Sequence, residues 1–286
     1  MRVLITGAHG LLGSTLAPHV ASKGHTVATC SRTQGDVRAD LAVRAEVDAA
    51  LDVAKPDVLI NLVAHTNVDD CERDPQLAYR ANVRVVENLA NWVGRQHGAA
   101  HLIQISTDQL YDGPGPHQED EITLRNYYGF SKYAGELAAA GGTVLRTNFF
   151  GRSERAGRTS LSDWVVGALR RGEAITVFDD VYFSPLGIRR LVDVLAMLVD
   201  DRRAGVFNLG SRDGMSKADF AFALADDLGL STSAVRRGKS TDVSFAARRP
   251  GDMRMDSTRF EQTFGITLPT LREEISSLAT EYARES

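Results

Sequence analysis

The chain has 286 residues, room for one large core or a core with a smaller lobe, and 43% hydrophobic and 24% charged residues place it among globular proteins. A net charge of -4 leaves no basic footprint for nucleic acid, and no apolar run approaches a membrane span. Met1 to Gly7 reads as a strand from its second residue and lacks a signal peptide's long apolar region, so a cytoplasmic enzyme is expected. Cys30 and Cys71 have no metal spacing and read as free thiols, with Cys30 buried in a strand.

Val3 to Thr6 is a short apolar run, glycines follow at 7, 10 and 13, and the sequence continues into a helix through Val20. Strand, glycine turn and helix in this order form a dinucleotide cradle. Gly7 permits the turn, Gly10 lets the backbone approach a pyrophosphate, and Gly13 lets helix and strand pack closely. The motif Gly7-Ala8-His9-Gly10-Leu11-Leu12-Gly13 then presents helix N–H groups to the phosphates. The second strand, His25 to Cys30, is followed by Ser31-Arg32-Thr33. A carboxylate at this strand end binds the ribose hydroxyls of NAD, whereas a cation suits the 2′-phosphate of NADP. Ser31 and Arg32 therefore favour NADP, with NAD as a second cofactor; the alternative is a solvated arginine in a turn.

Asp40-Leu41 precedes a helix over 42–54. Asp40 either receives the adenine amino group or caps that helix. Residues 56–61 form the third strand, and Leu62, Val63 and Ala64 at its carboxyl end leave room for a cofactor lying across it. His65 has no evident partner in the sequence and reads as wall rather than base. One long helix is expected over 75–97, with Pro75 in its first turn, Asn82 within it and Gly98 at its end. His101 to Ser106 is strand four and closes on Thr107-Asp108, where substrates bind in such sheets. An irregular loop over 111–126 could fold over the site.

A helix beginning at Tyr127 carries Tyr128 and Lys132 four residues apart, on one face. An ammonium beside a phenol favours the phenolate, so the pair can exchange protons near neutral pH. Gly141-Gly142 ends this helix, and Thr143 to Thr147 is strand five. Five alternations of strand and helix predict a Rossmann-like, doubly wound parallel sheet. The second half adds a polar, basic loop over 152–160, a helix over 161–171 with Trp164 on its apolar side, and a strand over 175–178. A helix over 186–199 and a strand over 205–210 follow, then a helix over 216–229 capped by Ser216, a loop over 248–252 and a terminal helix over 270–284. The expected division is a cofactor domain over 1–150 with 186–212 returning to it, and a smaller α/β substrate lobe over 151–185 and 213–286.

With the glycine motif, Ser106-Thr107-Asp108 and Tyr128-Gly129-Phe130-Ser131-Lys132, the sequence resembles the extended short-chain dehydrogenase/reductase superfamily. Within it the chain is most similar to the dTDP-4-dehydrorhamnose reductase family, through Asn61 to Asp69, Ser106 to Gly113, Val177 to Asp180, Ser184-Pro185, Arg248-Arg249-Pro250 and Ile266 to Pro269. The resemblance implies that Tyr128 protonates a sugar carbonyl, Lys132 holds the ribose and lowers the Tyr128 pKa, and Thr107 orients the same oxygen. It implies a nucleotide-sugar substrate, with Arg249 on the diphosphate and Thr66, Val68, Asp108, Asn148 and Phe149 around the sugar. Some relatives bind a metal through a glutamate just after the third glycine; Ser14-Thr15 stands here, so no metal is expected. Gln109 and Asn148-Phe149-Phe150 depart from the family's aromatic residues near the sugar. A sugar-nucleotide epimerase or dehydratase with tightly held NAD, and a non-catalytic NADP-binding regulatory subunit, are the competing readings. The sequence has no clear signal of assembly and leaves a homodimer open.

Overall fold

The computed structural model describes residues 1–153 and 160–283, so most of the basic loop expected over 152–160 lies outside the described residues. The first strands are β1 (Arg2–Thr6), β2 (Thr26–Ser31), β3 (Val37–Arg38), β4 (Val58–Asn61), β5 (His101–Ile105), β6 (Thr143–Thr147) and β7 (Phe149–Phe150). The later ones are β8 (Ile175–Phe178), β9 (Tyr182–Phe183), β10 (Leu186–Gly187), β11 (Gly205–Leu209), β12 (Met215–Ser216) and β13 (Val235–Gly238). Seven of them form one sheet in the order β11-β6-β5-β4-β1-β2-β3. The β1–β2, β1–β4, β2–β3, β4–β5 and β5–β6 registers are all parallel. The order reverses at β1, and ligands in such sheets bind beyond the strand ends at the point of reversal. The architecture is the doubly wound α/β fold that the alternation of elements predicts.

The chain divides into two compact units: Met1–Thr107 with Asn126–Arg146 and Val192–Phe207, and Asp108–Arg125 with Thr147–Leu191 and Asn208–Ser286. The loop that the sequence leaves with the first 150 residues thus groups with the second unit. Helices of the first unit are α1 (Leu11–Ser22), α2 (Arg44–Ala54), α3 (Val68–Arg73), α4 (Pro75–Tyr79), α5 (Val85–Gly94) and α6 (Tyr127–Ala138). One core cluster of this unit joins Leu4, Leu59, Leu102 and Val144 of the sheet to Leu51, Leu89 and Trp92 of the helices. In the second unit α7 (Leu161–Arg171), α9 (Lys217–Asp227), α10 (Thr258–Phe264) and α11 (Leu271–Ala283) accompany the short strands; α8 (Ile188–Asp200) begins there and ends in the first unit. Its core is aromatic, with Phe150, Phe183 and Phe220 edge to face and Ile275 and Leu278 packed on them.

Four local expectations change. The single helix over 75–97 is α4, a π turn at Arg80–Arg84, and α5; the side chain of Asn82, inside that turn, reaches other elements. α5 stops at Gly94, and the left-handed His97 and Gly98 (φ 49° and 86°) reverse the chain. Trp164 is 40% exposed, because the buried stripe of α7 is Ser162, Val165, Val166 and Leu169 and position 164 falls outside that period. The helix expected from 186 starts at 188, since Leu186–Gly187 pairs in parallel with Phe149–Phe150. Ser216 does cap α9, its hydroxyl accepting from Asp219 N at 3.0 Å. Cys30 and Cys71 are both free and buried.

Candidate functional site

The glycine turn is built as tightly as its sequence requires. Gly7 takes a left-handed φ of 69°, and a Cβ there would lie 3.1 Å from the Leu62 carbonyl carbon. A Cβ on Gly13 would lie 2.5 Å from Ala8 Cα and 2.6 Å from Gly7 O. On Gly10 it would meet the Gly7 carbonyl alone, at 3.3 Å, so the space before this residue is open. Gly10 is the N-cap of α1 with no side-chain cap, which leaves the first-turn N–H groups of Leu11, Leu12 and Gly13 without an intrahelical acceptor. An open cradle with outward N–H groups fits a pyrophosphate.

At the β2 end, the Ser31 hydroxyl accepts from Gln34 N at 2.9 Å, and Arg32 is exposed. Arg38 of β3 stands opposite Ser31 in register and is exposed as well. This second cation is absent from the sequence reading, because a two-residue strand has no periodicity to detect. Asp40 is not a helix cap: α2 starts at Arg44 with Val43 as its N-cap. Its carboxylate accepts from Ala42 N at 3.0 Å and from Arg80 at 2.7 Å. Burial tends to raise its pKa, but these donors and the charges of Arg80 and Arg32 hold it below the usual carboxylate value. The Leu41 side chain is in the core, and its carbonyl accepts from Asn88 at 2.9 Å.

Along the carboxyl ends of the strands runs a buried polar chain. Thr6 Oγ1 donates to Asn61 Oδ1 at 2.6 Å, Asn61 Nδ2 to Gln104 Oε1 at 2.7 Å, and Gln104 Nε2 to the Ile105 carbonyl at 2.7 Å. The second donor to that carbonyl is Lys132 Nζ, also at 2.7 Å. Lys132 is therefore joined through its ammonium to the residue two before Thr107. Burial pushes its pKa down to about 8, and the Glu136 charge one turn along α6 opposes that shift.

Helix α6 starts where Asn126 accepts from Gly129 N at 2.8 Å. It presents Tyr128, 7% exposed, on the face of Lys132, whereas Tyr127 is 37% exposed. A Cβ on Gly135 would lie 2.3 Å from Asn82 O, so glycine there allows α6 to press on the π turn. Asn82 completes the seam: it donates to Ser131 Oγ at 2.9 Å and accepts from His65 N at 2.8 Å. His65 Nε2 lies 3.4 Å from Asp70 Oδ2, without a hydrogen bond between them. Leu62, Val63 and Ala64 lie half-buried beyond β4. Thr66 is exposed, and Val68 is buried in the first turn of α3, which Asn67 caps.

Thr107, Tyr128, Lys132 and the glycine turn all belong to the first unit; Asp108, Asn148, Phe149 and Arg249 belong to the second. Within that second unit, Asn148 Nδ2 donates to Asp108 Oδ2 at 2.6 Å. The Arg249 guanidinium stacks 4.7 Å from the Phe245 ring centroid, and its loop is held by a 2.8 Å bond from Gly251 N to Asp112. A partly buried cation missing from the sequence reading, Lys217, lies within electrostatic reach of both Asp108 and Arg249; desolvation lowers its pKa, Asp108 opposes that and Arg249 adds to it. The β9–β12 pairing, which no local pattern announces, places Lys217 there.

Fold and cradle define a dinucleotide-binding α/β protein of the short-chain dehydrogenase/reductase type, with a Tyr-x-x-x-Lys helix. The family model for the RmlD substrate binding domain matches residues 1–284. A dTDP-4-dehydrorhamnose reductase of Mycolicibacterium smegmatis is 34% identical over 93% of this chain and 81% of its own. A probable low-salt glycan biosynthesis reductase of Haloferax volcanii is 26% identical over 99% of both chains. The crystal structure of a dTDP-4-dehydrorhamnose reductase from Clostridium acetobutylicum superposes with a TM-score of 0.88, at 25% identity, over 99% of this chain and 100% of that one. The chain belongs to the RmlD substrate-binding-domain family, that of the dTDP-4-dehydrorhamnose reductases.

Proposed function

We propose that the protein reduces a 4-keto group on a nucleotide-activated deoxysugar, with NADPH as the reductant. The observation that carries this reading is the Tyr128–Lys132 face of α6, with Lys132 bonded to the Ile105 carbonyl beside Thr107. Relatives named as dTDP-4-dehydrorhamnose reductases support the substrate class. The cradle of Gly7, Gly10 and Gly13 fits a dinucleotide, and Arg32 suits a 2′-phosphate. NADPH, when bound, supplies the hydride that the carbonyl carbon receives.

This chain's residues do the rest. The Tyr128 hydroxyl gives its proton to the carbonyl oxygen, so that hydride on carbon and proton on oxygen together make the alcohol. The Lys132 ammonium stabilises the phenolate left behind and holds the ribose hydroxyls. The Thr107 hydroxyl donates to the same oxygen and orients it. Arg249 holds the diphosphate with its guanidinium fork. Thr66, Val68, Asp108, Asn148 and Phe149 line the sugar.

The test is NADPH oxidation with a panel of dTDP-4-keto-6-deoxysugars, reading the stereochemistry of each product. Oxidation with at least one member is expected. Absence of turnover with all of them overturns the reading; NAD retained without exchange points to an epimerase, and an inactive protein that co-purifies with another enzyme points to a regulatory subunit.

A further inference from the structure

Glu136 stands one turn beyond Lys132 on α6 and is 4% exposed. Arg146 of β6, 3% exposed, holds it as a fork: Nε donates to both carboxylate oxygens at 3.0 and 3.1 Å, and Nη2 donates to Oε2 at 2.7 Å. The Ser106 hydroxyl donates to the same carboxylate, and Ser106 N donates to Leu145 O at 2.7 Å. Adjacent residues at the end of β5 are thus tied to two residues one turn apart on α6: Ile105 to Lys132 and Ser106 to Glu136. Thr107 follows directly.

A buried ion pair is often neutral or costly for stability, so stability alone does not account for this one. Other ionisable groups lie on the elements packed against α6: Asp70 and Glu72 on α3, Arg80 and Arg84 on the π turn, and Glu87 on α5. Their side chains are exposed or partly exposed. Tyr128 shares the Lys132 face, and Arg146 reaches α6 through Glu136. Burial lowers the Lys132 pKa and the Glu136 charge opposes that shift, while Arg146 balances the same carboxylate.

We infer that Glu136, gripped by Arg146 and Ser106, is a positioning residue that fixes the Ile105–Thr107 edge of β5 against α6, where Lys132 is bonded to Ile105. The role in turnover rests on the reductase reading; the hold on the strand end can be read without it.

The chain contains five lysines, so 13C labelling at lysine Cε gives five resonances to titrate in the full-length protein, and Lys132→Met identifies the one of interest. Glu136→Gln should lower the Lys132 midpoint by about one pH unit or more. The alkaline limb of NADPH turnover on a dTDP-4-keto-6-deoxysugar should move down with it. Glu136→Gln leaves Arg146 buried without its counter-charge and can unfold the protein. The double variant Glu136→Met, Arg146→Met removes that liability and, because it deletes a cation together with the anion, tests the tie rather than the charge: amide hydrogen exchange at Ser106 should quicken by about tenfold or more. An unchanged Ser106 exchange rate in the folded double variant overturns the inference. Faster Ser106 exchange in a double variant of a protein that reduces no 4-keto sugar upholds the inference and sinks the reductase reading instead.

Discussion

Two ion pairs in the first unit share one N–O distance, 2.7 Å, and differ in almost everything else. Arg146–Glu136 has side chains 3% and 2% exposed; Arg80–Asp40 has side chains 61% and 26% exposed. Water screens the second pair and replaces either partner when it leaves. The first pair lies under the proposed catalytic face, where nothing can replace a lost partner. Distance therefore says little about what an ion pair does; burial and the groups tied to it decide. At the exposed Arg80–Asp40 pair, charge stays open to solvent. Beneath α6, charge is committed to holding the strand end.

The largest effect is expected from Arg146→Ala, which strands the Glu136 carboxylate in the interior. Denaturant unfolding should show a loss of about 3–5 kcal/mol. A loss below about 1 kcal/mol would make the buried pair equivalent to the exposed one and break the contrast. Next in size is Gly13→Ala. Its Cβ would press on the Ala8 and Gly7 backbone, which cannot move aside, so a cost of about 1–3 kcal/mol is expected. NADPH affinity should fall with it; calorimetric binding equal to wild type would remove the cradle from the account.

The pH dependence separates activity from stability. Burial depresses the folded-state pKa of Lys132 to about 8 from the ordinary lysine value of 10.5. Below about pH 8 the folded protein carries the full cost of a buried ammonium, and the cost disappears as pH rises towards 10.5. The contribution of Lys132 to stability thus rises over this window, while turnover falls as the ammonium is lost. Parallel measurement of kcat/KM and unfolding free energy in wild type and Lys132→Met isolates the group. A wild-type alkaline limb absent near pH 8 would contradict the placement of Lys132. The smallest effect belongs to Asp40→Asn, which should change stability by under about 1 kcal/mol at neutral pH. Since the Asp40 pKa is lowered on folding, even that contribution should vanish as the solution is acidified.

Much of the fold is legible in the sequence because its signals are local. The glycine spacing at 7, 10 and 13 sets the first turn, and apolar runs of four to six residues bounded by turns mark β1, β2, β4, β5 and β6. Tyr128 and Lys132 share a helix, so periodicity alone puts them on one face. Glu136 carries the same signal one turn further on and could have been read with them. Arg146 and Ser106 could not, since a strand pairing and a helix packing bring them to Glu136. The π turn escaped because its sequence continues a good helix; the packing of Gly135 on Asn82 gives no periodic sign. Lys217 is a similar case, placed by an antiparallel pairing of two-residue strands.

The central claim is that Tyr128 moves the proton while the surrounding face holds the cofactor. Tyr128→Phe keeps the ring and removes only the hydroxyl. With NADPH and the dTDP-4-keto-6-deoxysugar that wild type reduces best, kcat should fall by about 10²- to 10⁴-fold while the NADPH dissociation constant stays within about twofold. Turnover within a few-fold of wild type, or an NADPH affinity that falls as far as kcat, would contradict the assignment.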